Sequence, residues 1–195
     1  MLKYCGKAGI AMTKSTTSKK IRDMAYIAMF AVIIAVCSWI SIPSIIPFTL
    51  QTFAVFSAAL ILGGKRSFAA VALYILLGAV GVPVFSGFRS GISALIGTTG
   101  GYIFGFLLIP LTYSFITYVF TKNIFSQAVS LLFGLAICYA FGTMWYVYVY
   151  TATSGHITVL AALSGCVFPY LIPDAIKLIV AFIVAKAVSM RVKLD

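Results

Sequence analysis

Asp174 and Lys177 stand three residues apart inside the apolar run 166–186, a spacing that puts both on one helix face. The chain has only three acidic residues, and the other two, Asp23 and Asp195, lie in basic flanks. An ionised Asp or Lys at the centre of a bilayer costs about 2.5–3.5 kcal/mol on insertion scales. The two groups must therefore neutralise one another or hold something polar. As sequence, both readings stand: a structural ion pair, or a ligand site. A lone membrane-embedded acid also suits a self-contained secondary transporter with Asp174 as its proton carrier. No Ser/His/Asp set, carboxylate pair or metal-ligand cluster is present, so neither an enzyme nor a resident cofactor is expected. The stretch Gly63-Gly64-Lys65-Arg66-Ser67 lacks the earlier glycine and the Ser/Thr of a phosphate-binding loop.

These residues need elements to carry them, and composition says which. The chain is 63% hydrophobic and 9% charged, with a mean hydropathy of +1.13. That describes an integral membrane protein. A net charge of +11 is not read as nucleic-acid binding, because six basic residues crowd the first 22 positions and most others fall in short connectors. Apolar runs broken by Pro, Gly or charge predict six helices near 24–42, 50–63, 67–81, 101–120, 126–150 and 168–190. The fold class is all-α and polytopic, with a basic N-terminal tail at 1–22 and a membrane domain at 23–195. The first apolar segment directs insertion, with no cleaved signal peptide. The tail is read as disordered or lying against anionic lipid.

With this topology twelve of the fourteen Lys and Arg residues fall on one side, Arg89 falls alone on the other, and Lys177 is intramembrane. The positive-inside rule then puts both termini in the cytoplasm. Trp39 and the Trp145–Tyr150 cluster fall at the predicted outer interface. The last helix runs from outside to inside, so Asp174 and Lys177 lie toward its outer end. Proline favours a first turn, which predicts a continuous helix from Pro173 with Asp174 near its positive pole.

Two outer loops converge on that point. One is Ile42–Gln51. The other, 81–102, is long, apolar and glycine-rich, and reads as a folded-in cap. Gly91 belongs to that loop, where backbone can approach a ligand closely. Gln51 either caps a helix or faces a ligand. Arg89 is either an exposed charge or a ligand contact. Tyr102 is either a belt aromatic or a pocket wall. His156 reads as a surface residue. Small-xxx-small spacings at Ala31/Ala35, Ala54/Ala58, Gly101/Gly105 and Ala181/Ala185 suit close helix packing, and Ala31/Ala35 is the first choice for a partner interface.

The segments Ile46-PFTLQTFAVF, Gly81-VPVFSGF, Gly97-TTGGYIFGF and Asp174-AIK together resemble the BioY family, the biotin-binding S components of energy-coupling factor (ECF) vitamin transporters. The resemblance runs from about Asp23 through the last helix. It implies a six-helix S-component fold, biotin as the transported ligand bound near the outer face, a transmembrane coupling subunit, and two cytoplasmic ATPases that drive inward delivery as the S component topples. Asp174 and Lys177 match the family's acid and base, Gln51 the FTLQ element and Tyr102 the GGY element. Arg89 stands where the pattern more often has a small or amide residue, and Thr98 stands where Pro is common. On this resemblance Asp174 accepts from a ureido N–H and Lys177 donates to the ureido carbonyl. Phe85, Phe88 and Tyr102 cover the rings, and Arg89 meets the carboxylate. The reverse orientation, with Lys177 on the carboxylate, stays open. So does another vitamin on the same fold.

Overall fold

A computed structural model of the chain describes residues 5–43, 46–120 and 123–191, with side-chain surroundings described from residue 18. Lys3, Lys122, Lys193 and Asp195 lie outside the described residues. The side chains of Lys7 and Lys14 are likewise not described.

The described residues form nine α-helices, seven of which fall in the six expected apolar segments while the other two lie in the connections at 82–100 and 151–167. The nine are α1 (Cys5–Trp39), α2 (Gln51–Leu62), α3 (Gly64–Val80), α4 (Ile92–Ile96), α5 (Gly100–Gly105), α6 (Leu108–Val119), α7 (Ile124–Ser154), α8 (Val159–Cys166) and α9 (Phe168–Ser189). The stretches Ser18–Trp39, Gly100–Val119, Ile124–Ser154 and Val159–Ser189 are each long and apolar enough to cross a bilayer. The 12-residue α2 is shorter than a span of ~20 residues. It is enclosed by its neighbours: Ala54, Val55, Phe56, Ala58 and Ala59 are all fully buried. Its small residues let α1, α3 and α9 close around it.

Three expectations are revised. α1 is continuous from Cys5, so the span read as starting near 24 lies inside a longer helix. Ala31 and Ala35, expected at a partner interface, are 1% and 5% exposed and pack into the chain's own core with Ile34, Val55 and Val71. Close packing inside the bundle uses that small-residue face, and α1 instead presents Met24, Met29, Val32 and Val36 outward. Pro173 does not open the last helix. α9 begins at Phe168 with Pro169 in its first turn, and Pro173 lies within it. Pro169 already supplies the start that proline favours, and Pro173 forfeits only one early ladder bond. Asp174 therefore lies in the second turn, beyond the main reach of the helix dipole, and must find its stabilisation in side chains.

The loop before α2 holds a two-stranded antiparallel ribbon, β1 (Ser41–Ile42) and β2 (Phe48–Thr49), in the register Ser41↔Thr49 and Ile42↔Phe48. Leu50 N–H also bonds the Ile40 carbonyl at 3.2 Å. Strands of two residues are too short to leave an alternating pattern in the sequence. They nevertheless fold this loop across the end of the bundle, toward α9.

At the opposite end, Arg66 of α3 meets Asp23 of α1 at 3.1 Å. His156 is exposed, as expected, just after α7 ends.

Candidate functional site

The ribbon, the start of α2 and the second turn of α9 meet at one point. Lys177 Nζ donates to Asp174 Oδ1 at 2.7 Å, to the Thr49 carbonyl at 2.6 Å and to Thr52 Oγ1 at 3.1 Å. Thr52 Oγ1 in turn donates to Asp174 Oδ1 at 2.9 Å, and Tyr139 of α7 donates its hydroxyl to Asp174 Oδ2. The ammonium also sits 4.1 Å from the centroid of the Phe48 ring, a favourable cation–π position. Asp174 is 2% exposed and Lys177 7%. Desolvation of both charges is thus offset by hydrogen bonds to charged groups, each worth about 1.5–3 kcal/mol.

This cluster forms one wall of a small cavity, about 50 Å³, lined also by Ile46, Tyr102, Phe106, Cys138, Cys166 and Tyr170. Tyr170 donates its hydroxyl to the Ile46 carbonyl, which ties α9 to the loop above. A second cavity of similar size adjoins it and shares Ile46, Pro47, Thr49, Tyr102 and Phe106. Its other walls include Gln51, Tyr74, Phe85, Ser86, Arg89 and Thr99. Each cavity has room for a few waters. What divides them is the segment Ile46–Thr49 on one side and Tyr102 with Phe106 on the other.

Tyr102 is held in that dividing wall by two features. Its hydroxyl lies 2.9 Å from Thr143 Oγ1, and its ring packs onto Gly142, where an added Cβ would fall 2.4 Å from the ring. Phe85 is fixed in the same manner: a Cβ on Gly78 would lie 2.0 Å from its ring tip, and Tyr74 meets it edge-on at 5.5 Å.

The 81–102 loop forms the expected cap. It contains a 3₁₀ turn at Ser86–Phe88 and the short α4. Phe88 holds φ = +58°, a conformation costly for a residue with a Cβ. It stacks on Trp39 at 5.1 Å, and Trp39 Nε1 donates to the Pro83 carbonyl at 2.9 Å. Phe85 N–H donates to the Arg89 carbonyl at 3.0 Å and Arg89 Nε to the Ser86 carbonyl at 3.3 Å, so the turn presents Arg89 at the mouth of the second cavity. At the far end of the cap, Trp145 Nε1 donates to the Gly97 carbonyl at 3.1 Å.

Six of the seven residues singled out from sequence line the two cavities: Asp174, Lys177, Gln51, Tyr102, Arg89 and Phe85. Gly91 lines neither. It turns the chain into α4 instead, with φ = +83° and its N–H on the Gly78 carbonyl at 2.7 Å. Thr49, Thr52, Tyr74 and Tyr139 escaped sequence reasoning. Thr52 directly follows Gln51 in the FTLQT element, the one signal available for it. Tyr74 and Tyr139 look like ordinary aromatics of apolar helices.

Six apolar segments, with a buried charged cluster and two adjoining cavities beneath a looped cap, define a polytopic membrane protein with a polar interior at one end. The chain belongs to the BioY family, whose family model matches residues 12–194. Biotin transporter BioY of Thermotoga maritima is 39% identical over 170 residues, covering 85% of this chain and 94% of that protein. Probable biotin transporter BioY of Pyrococcus horikoshii is 33% identical over 168 residues, covering 86% and 96%. Among solved structures, the S-component for biotin from an ECF-type ABC transporter superposes with a TM-score of 0.77 at 25% identity, over 91% of this chain and 95% of that one.

Proposed function

We propose that this chain is the biotin-capturing S component of an ECF-type uptake transporter, taking biotin at the extracellular face and delivering it inward. The observation that carries this reading is the Asp174–Lys177 cluster: two buried charges in the wall of a cavity, in a chain whose relatives are named biotin transporters. The roles assigned to Gln51, Tyr102, Phe85 and Arg89 belong to the same proposal. ATP hydrolysis falls to two cytoplasmic ATPases, linked through a transmembrane coupling subunit. Both termini lie in the cytoplasm, with the basic segment 1–22 on that side ahead of the membrane domain 23–195.

The geometry adds a requirement. Neither cavity alone holds a bicyclic ring system with an acid tail, whereas the two together span one continuous path once Ile46–Thr49 withdraws. Entry of biotin therefore proceeds through lifting of the β1–β2 ribbon, which breaks the bond from Lys177 to the Thr49 carbonyl.

Calorimetry on the purified full chain tests the proposal. Biotin gives saturable heat and thermal stabilisation, while riboflavin gives neither. Absence of both effects at saturating biotin would overturn it. Vesicles containing this chain alone should show no sustained uptake; robust uptake would point to a self-contained secondary transporter.

A further inference from the structure

Far from the cap, α7 and α9 part. Near the cap they are tied by the bond from Tyr139 to Asp174. Beyond Lys177, no side-chain hydrogen bond joins the two helices among the described residues. A groove of about 470 Å³ opens between them there, floored by Leu60 of α2. It shares no residue with the two cavities under the cap.

The groove is apolar within and polar at its rim. Phe182 and Ile183 line it about one helical turn deeper than Lys186. Ile183 and, across from it, Ile124 are 63% and 76% exposed, and in a bundle that spans a bilayer such side chains border hydrocarbon. The rim holds Lys186 and Ser189 from the end of α9 and Gln127 from the start of α7. Ser189 Oγ is committed to the Lys186 carbonyl at 2.9 Å. The Lys186 ammonium and the Gln127 amide make no hydrogen bond within the chain among the described residues. Both described acids are taken elsewhere, Asp23 by Arg66 and Asp174 by Lys177, and no acid lines the groove. An apolar trough ending in an unpaired cation, open to lipid, fits a molecule with an acyl chain and an anion at its head. A lysine binds phosphate through a charge-assisted hydrogen bond.

We propose that this groove holds one anionic phospholipid, its acyl chain lying over Leu60, its phosphate on Lys186 and its ester oxygens accepting from Gln127. The site prefers a lipid of net negative charge, because a choline headgroup would bring a second cation beside Lys186. The bound lipid takes the place of a helix–helix contact and braces the far half of α9 against α7. This site is independent of the biotin reading: it needs only that the helices lie in a bilayer.

Native mass spectrometry of the full chain tests this, with the chain released from micelles holding equal amounts of phosphatidylglycerol and phosphatidylcholine of matched acyl chains. The last lipid retained should be phosphatidylglycerol by about fivefold, the scale of one basic residue at an anionic membrane surface. Lys186→Gln should bring the two lipids to parity, and Lys186→Arg should keep the preference. Lys65→Gln removes an exposed lysine outside the groove and should leave the preference unchanged. Ala185→Phe narrows the groove and should lower retention of both lipids. Excess glycerol 3-phosphate should displace neither. Thermal melts establish that each variant is folded, and the lysine variants decide the matter if the larger side chain at 185 unfolds the chain. Equal losses in Lys65→Gln and Lys186→Gln would mean diffuse attraction to a basic surface, and overturn the site. Parity of the two lipids on the unaltered chain overturns it as well, as expected of a groove kept for a protein partner. Displacement by glycerol 3-phosphate, or undiminished retention in a folded Ala185→Phe, would remove the acyl chain from the proposal and overturn it too.

Discussion

Two ion pairs mark opposite ends of this molecule, and they share little beyond their charges. Asp23 and Arg66 join α1 to α3 at 3.1 Å, with side chains 27% and 24% exposed. Asp174 and Lys177 meet at 2.7 Å with side chains 3% and 8% exposed, and four further groups from three other elements close around them. Water screens and competes for the first pair, so its net worth is small. The second pair is almost wholly shielded from bulk solvent, so each partner depends on the others, and loss of one leaves an uncompensated charge. A carboxylate paired with a cation serves as a tether between helices in one place and as a buried polar cluster in the other.

The strongest way to break this contrast is to remove one buried partner. Asp174→Asn or Lys177→Ala should weaken biotin binding by a factor on the order of 10²–10⁴, corresponding to about 3–5 kcal/mol. Calorimetry reads the loss. The double variant Asp174→Asn/Lys177→Met, with no charge left unpaired, should recover thermal stability without recovering binding. Unchanged affinity in both single variants would make the pair purely structural. A finer cut is Thr52→Val, which removes one hydroxyl that serves both charges. About tenfold weaker biotin binding is expected, from the loss of hydrogen bonds to charged groups. The smallest effect belongs to the other end: Arg66→Gln should cost less than about 1 kcal/mol in thermal unfolding, shrink further in high salt and leave biotin affinity unaltered.

The residues that sequence reading found are those with a local signature. Asp174 and Lys177 stand out because charge is rare in an apolar run, and the 81–102 loop because it is long, apolar and rich in glycine. Tyr102 and Arg89 are reached through that loop, Gln51 through the 42–51 loop and the FTLQ element, and Phe85 through the family resemblance. The residues that were missed owe their roles to packing across the bundle. Thr52 meets Asp174 across 122 positions of chain, and Tyr139 reaches it across 35. No local pattern encodes such distances, and a tyrosine or threonine in an apolar helix looks the same whether or not its hydroxyl has work to do. Ala31 and Ala35 illustrate the reverse limit. Small-residue spacing says that something packs closely there but not what, and here it is the chain's own core. Pro173 shows a competition between two signals, which Pro169 wins by standing earlier.

The 81–102 cap is pinned at both ends by indole groups: Trp39 to Pro83 and Trp145 to Gly97. These are the only two tryptophans in the chain. The protein therefore carries its own pair of optical sensors. A shift in emission from Trp39 follows the edge of the cap that bears Arg89, and one from Trp145 follows the edge that leads into α5. Replacing either tryptophan by phenylalanine separates the two signals, so the sequence in which the ends of the cap release and resettle becomes visible without any added dye.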